Sequence, residues 1–353
     1  MISIAMTTYN GEKFVIKQLQ SLLNQTLQPD EVIIHDDRSS DSTPELVQKF
    51  IKENNLTNWH FSVNEKNLGY KQNFYETIKQ TSVDLIFLCD QDDIWLPNKI
   101  ELMVAVFNRN KNIGVLNSAI DYIDKDDNLI PPNYRKNTSN GGLIKKNLKK
   151  GKLYSFPYKL FLIKNISPGC TMAFTKKIKD VYLKYPLMYY SHDWAINLLG
   201  SFTNNTYFLY VTTINYRLHE NNTIGIDVND AFDKENELSD KIINNNTVKK
   251  STKEGKLSDH ERYIKMNYNI LFLVENYKET GNSFVKYRDA FVSYLNLRKE
   301  FLEKDFNSNL FFKLVLKYFY FYKRQVTLRG IISDMTFALK IHSKLVKIKN
   351  KLR

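Results

Sequence analysis

Three carboxylates follow a short apolar stretch of the sequence and could hold a metal ion. The stretch is Asp84-Leu85-Ile86-Phe87-Leu88-Cys89, and Asp90-Gln91-Asp92-Asp93 comes directly after it. Carboxylates this close repel one another unless a cation lies among them. Oxygen ligands suit Mg²⁺ or Mn²⁺, and the Asp-x-Asp spacing allows two of them to face one ion on a diphosphate. The alternative is an acidic turn that only caps the helix after Pro97.

A second pair of carboxylates, Asp36 and Asp37, ends the apolar run Glu31–Asp36. A carboxylate at this place can accept the N3 proton of uracil or thymine. The alternative is an Asx turn that leads into the helix start at Ser42-Thr43-Pro44. That alternative suits Asp36 better than it suits both residues.

Two later segments offer an acid, a cation and an imidazole. Asp193, in His192-Asp193-Trp194, precedes a predicted helix and is either a helix N-cap or a general base for an acceptor hydroxyl. Arg217 offers a cation for a phosphate, and His219 offers an imidazole for a metal or a phosphate. A lone Arg or His is usually structural, so these two residues are the weaker candidates.

The elements that position these residues alternate between strand and helix. Apolar patterning predicts strands at residues 1–8, 31–36, 59–63, 84–89, 114–123 and 167–175, and helices at 12–24, from 42, 73–79, 99–107 and 193–199. This alternation indicates an α/β fold with a mainly parallel sheet flanked by helices. Such sheets bind ligands beyond the carboxyl ends of their strands. Thr7-Thr8-Tyr9, Asp36-Asp37 and the acidic turn Asp90–Asp93 all fall at that edge.

Length and composition suit one large domain with an extension. The chain has 353 residues, two cysteines and a net charge of +13. Two cysteines exclude a disulfide framework, and no secretory signal or apolar run of the roughly 18–20 residues that span a bilayer is visible. We therefore expect a cytoplasmic protein.

The predicted organisation is a catalytic domain at residues 1–228, a polar linker at 229–258 and a helical extension at 259–353. Residues 309–353 carry eleven Lys or Arg against one acid, and residues 310–324 are apolar, aromatic and basic. This composition suits either a bilayer interface or a helix packed on protein. The sequence contains no nucleic-acid-binding module, so we expect no nucleic-acid partner.

Taken together, the motifs resemble those of the family 2 glycosyltransferases, which have the GT-A fold with a Rossmann-like sheet. They occur in the family's order over residues 1–225. The Asp-Gln-Asp-Asp-x-Trp and His-Asp-Trp forms are most similar to the rhamnosyltransferase-like branch, which builds bacterial surface polysaccharides. The motifs are Thr7-Thr8-Tyr9-Asn10-Gly11, Asp36-Asp37, Asn67-Leu68-Gly69, Asp90-Gln91-Asp92-Asp93-Ile94-Trp95, Gly169-Cys170-Thr171-Met172, His192-Asp193-Trp194 and Tyr216-Arg217-Leu218-His219.

The resemblance implies a nucleoside pocket at the first two motifs. Thr7 and Tyr9 would line the base and ribose, and Asp37 would pair with the pyrimidine N3, with Asp36 nearby. The family commonly has glycine after the two aspartates, whereas this sequence has Arg38. Arg38 must either adopt the glycine's backbone geometry or reach the donor itself.

The resemblance also implies a metal site and a base. Asp90 and Asp92 would hold Mn²⁺ or Mg²⁺ with His219 completing the site, and Arg217 would face the diphosphate. Asp193 would be the catalytic base of an inverting displacement. Lys71, after Asn67-Leu68-Gly69, is a further candidate for the diphosphate.

The expected activity is therefore transfer of a sugar, with rhamnose as the family-level preference, from a dTDP- or UDP-sugar to a saccharide acceptor. A lipid-linked acceptor would place the protein peripherally at the inner membrane face. A nicotinamide enzyme is disfavoured because no G-x-G-x-x-G follows the first strand, and a pyrophosphorylase because no Gly-rich basic loop does. A non-catalytic carbohydrate-binding or scaffold protein of the same fold is the alternative, and the oligomeric state stays open.

Overall fold

The structure is a computed structural model whose chain divides into two compact units. We call Met1–Ala231 the N-terminal unit and Phe232–Arg353 the C-terminal unit, and each is described by itself. The residues that the structure describes are 1–131, 138–144, 146–161, 164–187, 190–219, 256–258, 260–261, 282–325, 331, 334–335 and 338–339. The linker predicted at 229–258 lies outside them except for residues 256–258.

The N-terminal unit is one sheet with helices packed against it. Its strands are β1 Ile2–Thr8, β2 Glu31–Asp36, β3 Trp59–Val63, β4 Leu85–Cys89, β5 Ile94–Trp95, β6 Val115–Ile123, β7 Leu129–Ile130, β8 Leu153–Ser155, β9 Met172–Thr175 and β10 Thr206–Arg217. Its helices are α1 Val15–Leu23, α2 Thr43–Glu53, α3 Tyr70–Gln80, α4 Lys99–Arg109, α5 Tyr158–Phe161, α6 Lys176–Lys184 and α7 His192–Phe202, with a 3-10 turn at Gly169–Thr171.

The strand order is β3-β2-β1-β4-β9-β6-β10-β5, with β7 on β6 and β8 on β10. Strands β1 to β4 pair in parallel, and so do β6 and β10. Strand β9 runs antiparallel to both β4 and β6. The predicted α/β sheet flanked by helices is confirmed, but the parallel arrangement is interrupted at β9, so the sheet is mixed.

Burial explains why the first half of the sheet forms. All residues of β1 and β4 are buried, as expected for strands covered on both faces. Val15, Leu19 and Leu22 recur at helical spacing on α1 and are inaccessible to solvent in the same core. In the register, Thr8 lies beside Asp36 and Met6 beside Cys89, so the residues after β1, β2 and β4 share one edge.

Helices α5 and α6 and the short strands β5, β7 and β8 were not predicted, and two larger differences concern longer segments. The strand predicted at 167–175 was wrong in its first half, because Gly169–Thr171 forms a 3-10 turn and the strand begins at Met172. Strand β10 was not predicted. It pairs with β5, β6 and β8, and its register against β6 shifts between Leu209 and Ile214.

The described part of the C-terminal unit is helical. Helix α8 is Asn282–Glu303 and helix α9 is Ser308–Gln325, with a non-helical residue at Tyr318. Aromatic and aliphatic side chains from both helices form a buried cluster that includes Tyr294, Phe301 and Leu314. Among the described helices, none combines the length and apolarity that a bilayer-spanning segment requires.

A buried carboxylate stands beside this cluster. Asp334 is inaccessible to solvent and forms ion pairs of 2.6 Å with both Lys256 and Arg298. The Tyr322 hydroxyl also donates to it at 2.6 Å. A buried anion is stable only when such partners surround it, so this residue joins separate helical segments of the unit.

Candidate functional site

The acidic turn Asp90–Asp93 begins where β4 ends. The carboxylate of Asp93 is buried and accepts the backbone N–H of Arg217 at 3.0 Å. Burial first, and repulsion by Asp93 and Asp92 next, raise the pKa of Asp90 well above its ordinary range. Burial and Asp92 raise the pKa of Asp93 to about 7. The turn thus holds more negative charge than its surroundings neutralise.

A divalent cation fits this charge. Carboxylate oxygens of Asp90 and Asp93 and the sulfur of Cys170 lie within 4.8 Å of one another. Burial raises the pKa of the Cys170 thiol, which therefore stays protonated and is a poor ligand. Hard oxygen ligands in a repelling cluster match Mg²⁺ or Mn²⁺. Lys99 supplies one fixed cation nearby, because its Nζ donates to the carbonyl of Cys170 at 2.6 Å.

His219 contacts the acidic turn from the other side. Its Nε2 lies 2.9 Å from Oδ2 of Asp92, and its ring packs on Phe14 with centroids 4.8 Å apart. The structure therefore brings together two of the three predicted metal ligands, Asp92 and His219, and places the third, Asp90, beside Asp93, which was not a predicted ligand. The three-residue site of Asp90, Asp92 and His219 stays a prediction.

Arg217 lies beneath the turn instead of on its surface. Its side chain is fully buried, and its Nε donates to the carbonyl of Asp92 at 2.7 Å. Its guanidinium also forms a 2.5 Å ion pair with Asp127 and stacks on Phe14. These contacts shape the backbone of the acidic turn, and a contact with the diphosphate stays a prediction.

Asp36 and Asp37 have different surroundings. Asp36 is fully buried and accepts the Thr8 hydroxyl at 2.7 Å and both the N–H and the hydroxyl of Ser39. Asp37 accepts the N–H groups of Leu68 and Gly69 at 2.7 and 2.8 Å. Asp36 thus fixes the turn after β2, while Asp37 orients the Asn67-Leu68-Gly69 segment, and a contact of either residue with a nucleoside stays a prediction.

The remaining nucleoside-pocket candidates lie at the ends of β1 and β2. Thr7 is buried within β1, whereas the side chain of Tyr9 is about half exposed at the edge. Arg38 has φ = 62°, the left-handed conformation that glycine adopts without strain. Its guanidinium donates to the carbonyl of Glu65. Arg38 therefore has a backbone conformation that glycine adopts more readily than arginine.

Asp193 is a buried carboxylate in the first turn of α7. The side-chain amide of Asn165 donates to its Oδ2 at 2.8 Å, and the N–H of Trp194 donates to its Oδ1 at 2.8 Å. Burial lowers the pKa of the neighbouring His192 to about 4, so this ring is neutral at physiological pH. Asp193 is therefore oriented by neutral donors.

The turn Gly169–Thr171 connects Asp193 to the acidic turn. A Cβ added at Gly169 would lie 2.8 Å from Nε2 of His192 and 3.3 Å from Cβ of Asp193. The next residue, Cys170, approaches Asp90 and Asp93. Lys71 also faces this region, and burial lowers its pKa while the nearby Asp193 charge raises it. Both carboxylate sites thus belong to one edge of the sheet.

Sequence reasoning missed the residues that support this edge. Asn165 holds Asp193, Lys99 holds Cys170, and Gln91 contacts the loop after β1. Gln91 belongs to the Asp90–Trp95 motif, in which only its acidic neighbours were candidates, and Lys99 begins a predicted helix. Asn165 carries no local signal, because its role depends on a contact with a residue 28 positions away.

The N-terminal unit thus contains an α/β sheet, an acidic turn after β4 and a second buried carboxylate, Asp193, in the first turn of α7. The family model "Glycosyl transferase family 2" matches residues 3–181. The chain belongs to this family and is a glycosyltransferase.

Individual relatives are more distant. The chain is 29% identical over 237 residues to the dTDP-rhamnosyl transferase RfbG of Shigella flexneri, covering 63% of this chain and 74% of RfbG. It is 29% identical over 126 residues to the UDP-Glc:alpha-D-GlcNAc-diphosphoundecaprenol beta-1,3-glucosyltransferase WfgD of Escherichia coli. That match covers 36% of this chain and 48% of WfgD, about half of its length.

Solved structures with similar folds include S. aureus TarS 1–349 in complex with UDP, at a TM-score of 0.43 and 18% identity. This match covers 62% of the chain and 60% of TarS 1–349. GalNAc-T7 with UDP, GalNAc and Mn²⁺ matches at a TM-score of 0.49 and 14% identity, covering 62% of this chain and 44% of GalNAc-T7.

Proposed function

We propose that the protein transfers a sugar from a dTDP- or UDP-sugar to a hydroxyl group of a saccharide acceptor, with inversion and with Mn²⁺ or Mg²⁺ as cofactor. The observation that carries this proposal is the turn Gly169–Thr171, which places the acidic turn and the Asp193 carboxylate at one edge. A site for leaving-group charge and a site for proton removal are what a single displacement requires.

We infer the following roles for the residues of the site. Asp193 accepts the proton of the acceptor hydroxyl while the hydroxyl oxygen bonds to the anomeric carbon. The bond from that carbon to the diphosphate breaks on the opposite face, and the nucleoside diphosphate leaves. Asp90 and Asp92 with His219 would hold the divalent ion, which neutralises charge on the leaving diphosphate when bound. Arg217 and Asp93 keep the backbone of the acidic turn in place.

The similarity to RfbG, which is named a dTDP-rhamnosyl transferase, supports rhamnose as the transferred sugar. WfgD acts on a sugar carried by diphosphoundecaprenol, which supports a lipid-linked acceptor for this chain. Both assignments fit a role in surface polysaccharide synthesis at the cytoplasmic membrane face.

Donor binding measured by calorimetry tests the proposal. UDP and dTDP are titrated into the wild-type protein with Mn²⁺ and then with EDTA. We expect metal-dependent binding that Asp92→Ala abolishes and that the exposed-site control Asp180→Ala retains. Asp193→Asn should bind the donor normally and lose sugar transfer. Donor binding that persists both in EDTA and in Asp92→Ala would refute the proposed metal role. Normal sugar transfer by Asp193→Asn would refute the role of Asp193 as the base.

We further propose that helix α9 contacts an anionic bilayer surface. Phe312, Leu316 and Phe319 recur at helical spacing and are 53%, 84% and 44% exposed. The exposed Lys313 and Lys317 lie next to them, which suits anionic headgroups. The opposite face of α9 is buried in the C-terminal unit, so membrane contact and packing on protein use different faces.

Co-sedimentation with vesicles tests this contact. The wild-type protein should bind vesicles that contain phosphatidylglycerol more strongly than vesicles of phosphatidylcholine alone. Replacing the three exposed apolar residues with serine should reduce binding without altering thermal unfolding. Equal binding by the triple variant would refute a contact through these three residues, and a wild type that binds neither kind of vesicle would refute the bilayer contact and favour packing on protein.

A further inference from the structure

The side chain of Gln91, within the acidic turn, reaches the loop that follows β1. The backbone N–H of Tyr9 donates to Oε1 of Gln91 at 2.8 Å, and Nε2 of Gln91 donates to the carbonyl of Tyr9 at 2.9 Å. These reciprocal hydrogen bonds, here called the Gln91 bridge, join positions 82 residues apart in the sequence. A side-chain amide provides both the donor and the acceptor that this arrangement requires.

Gly11 leaves room for the Gln91 bridge. A Cβ at Gly11 would lie 2.2 Å from Oε1, 2.4 Å from Cδ and 2.9 Å from Nε2 of Gln91. Gly11 does not have a positive φ, so its backbone conformation does not itself require glycine. The absence of a side chain at this position is therefore explained by the space that the Gln91 amide occupies.

The rest of the loop is attached to the segment after β2. The N–H of Asn10 donates to the hydroxyl of Ser39 at 2.8 Å, and the N–H of Gly11 donates to the hydroxyl of Thr43 at 2.8 Å. Tyr9, at the start of the loop, is held by the Gln91 bridge instead. The bridge therefore connects the predicted nucleoside pocket directly to the predicted metal-binding turn.

We propose that Gln91 is a positioning residue that fixes Tyr9 relative to the carboxylates of the acidic turn before the donor binds. The proposal rests on the function proposed above, in which Tyr9 faces the nucleoside and Asp92 holds the ion on the diphosphate. The nucleoside and the diphosphate of the donor then bind at Tyr9 and at the acidic turn, whose separation is fixed before binding. Binding does not have to order the loop, so the bridge contributes to donor affinity.

The test uses steady-state sugar transfer by the full chain with Gln91→Ala, Gly11→Ala and the double variant. Gln91→Ala should raise the donor KM about tenfold, the range expected from two lost hydrogen bonds, with kcat nearly unchanged. Gly11→Ala should have the same effect, because its methyl displaces the flexible end of Gln91 without straining the fold. The donor KM of the double variant should match that of Gln91→Ala alone, since the Gln91 side chain that the added methyl would displace is then absent.

Gln20→Ala is the matched control, because Gln20 is an exposed glutamine on α1 that bonds only locally to Asn24. Its donor KM should equal that of the wild type. A donor KM of Gln91→Ala equal to that of the wild type would overturn the proposal. A double variant whose donor KM rises by the product of the two single effects would also overturn it. Wild-type protein that neither binds nor uses a nucleotide would refute the proposed function and this role together, whereas an active wild type with insensitive variants would refute this role alone.

Discussion

Replacing Gly169 with alanine should separate catalysis from donor binding. The added Cβ would lie 2.8 Å from Nε2 of His192, whereas ordinary contacts begin at 3.4 Å, so about 0.6 Å must be gained by movement. The His192 ring is buried and stacked on Phe74 with centroids 3.8 Å apart, so it has little room to yield. The movement is therefore taken up by the turn Gly169–Thr171 and by the start of α7, which carries Asp193.

The size of the effect follows from that displacement. Overpacking of a buried contact costs about 1–3 kcal/mol of unfolding free energy. Misplacement of a reacting group by about 1 Å lowers rates by about a hundredfold, so a shift of this size should lower kcat roughly tenfold or more. Donor affinity should stay close to that of the wild type, because the nucleoside candidates Thr7, Tyr9 and Asp37 lie on other segments.

The assay combines kcat for sugar transfer, donor affinity by calorimetry and thermal unfolding. Gly114→Ala is the matched control, because its Cβ would meet Ile178 and Asn205 at 3.1–3.2 Å, away from the acidic turn. It should lose stability and keep its kcat. Wild-type kcat in Gly169→Ala would refute the reasoning, and so would an equal loss of kcat in both variants.

Three further predictions concern charge and buried polar groups. The pKa of Asp93 is raised to about 7 in the folded protein, against an ordinary 3.8. Between these two pH values the folded, ion-free protein therefore keeps a proton on Asp93 that the unfolded chain has lost. Stability in EDTA should therefore fall as pH rises from about 4 to 7, and thermal unfolding of Asp93→Asn should show a smaller fall. Thr8→Val removes a hydrogen bond to the buried Asp36 and should cost about 1.5–3 kcal/mol in urea unfolding, whereas Thr26→Val, whose partner is exposed, should cost less. Asp334→Ala leaves two buried cations without their anion and should destabilise the C-terminal unit by about 3–5 kcal/mol; a loss under about 1 kcal/mol would show that they find other partners.

Apolar runs and turn residues were sufficient to predict the first half of the sheet. Strands β2 and β3 have the predicted bounds, because β2 contains the apolar run Val32-Ile33-Ile34 and β3 alternates between apolar and polar residues. Helix α3 begins at Tyr70, three residues earlier than predicted, since Gly69 provides a positive φ at its start. The edge that carries the polar residues followed from the parallel pairing of these strands.

The second half depends on contacts that no local pattern contains. The antiparallel strand β9 lies between β4 and β6, although it follows both in the sequence. Strand β10 carries β-bulge irregularities and partly exposed residues, so its alternation is weak. For the same reason the supporting roles of Asn165 and Gln91 could not be predicted, because each acts through a residue distant in the sequence.

Because β10 comes late in the N-terminal unit, the acidic turn gains its full set of contacts only after most of this unit has been synthesised. The family model matches residues up to 181, but β10 ends at Arg217 and forms the neighbour of β6 and β5 in the sheet. Arg217 is the residue that bonds to Asp92 and Asp93 from below. A nascent chain that stops at residue 205 would leave the edge of β6 unpaired and the acidic turn without this support. We therefore expect that a fragment must extend through His219, well beyond the matched segment, to keep these contacts with the acidic turn.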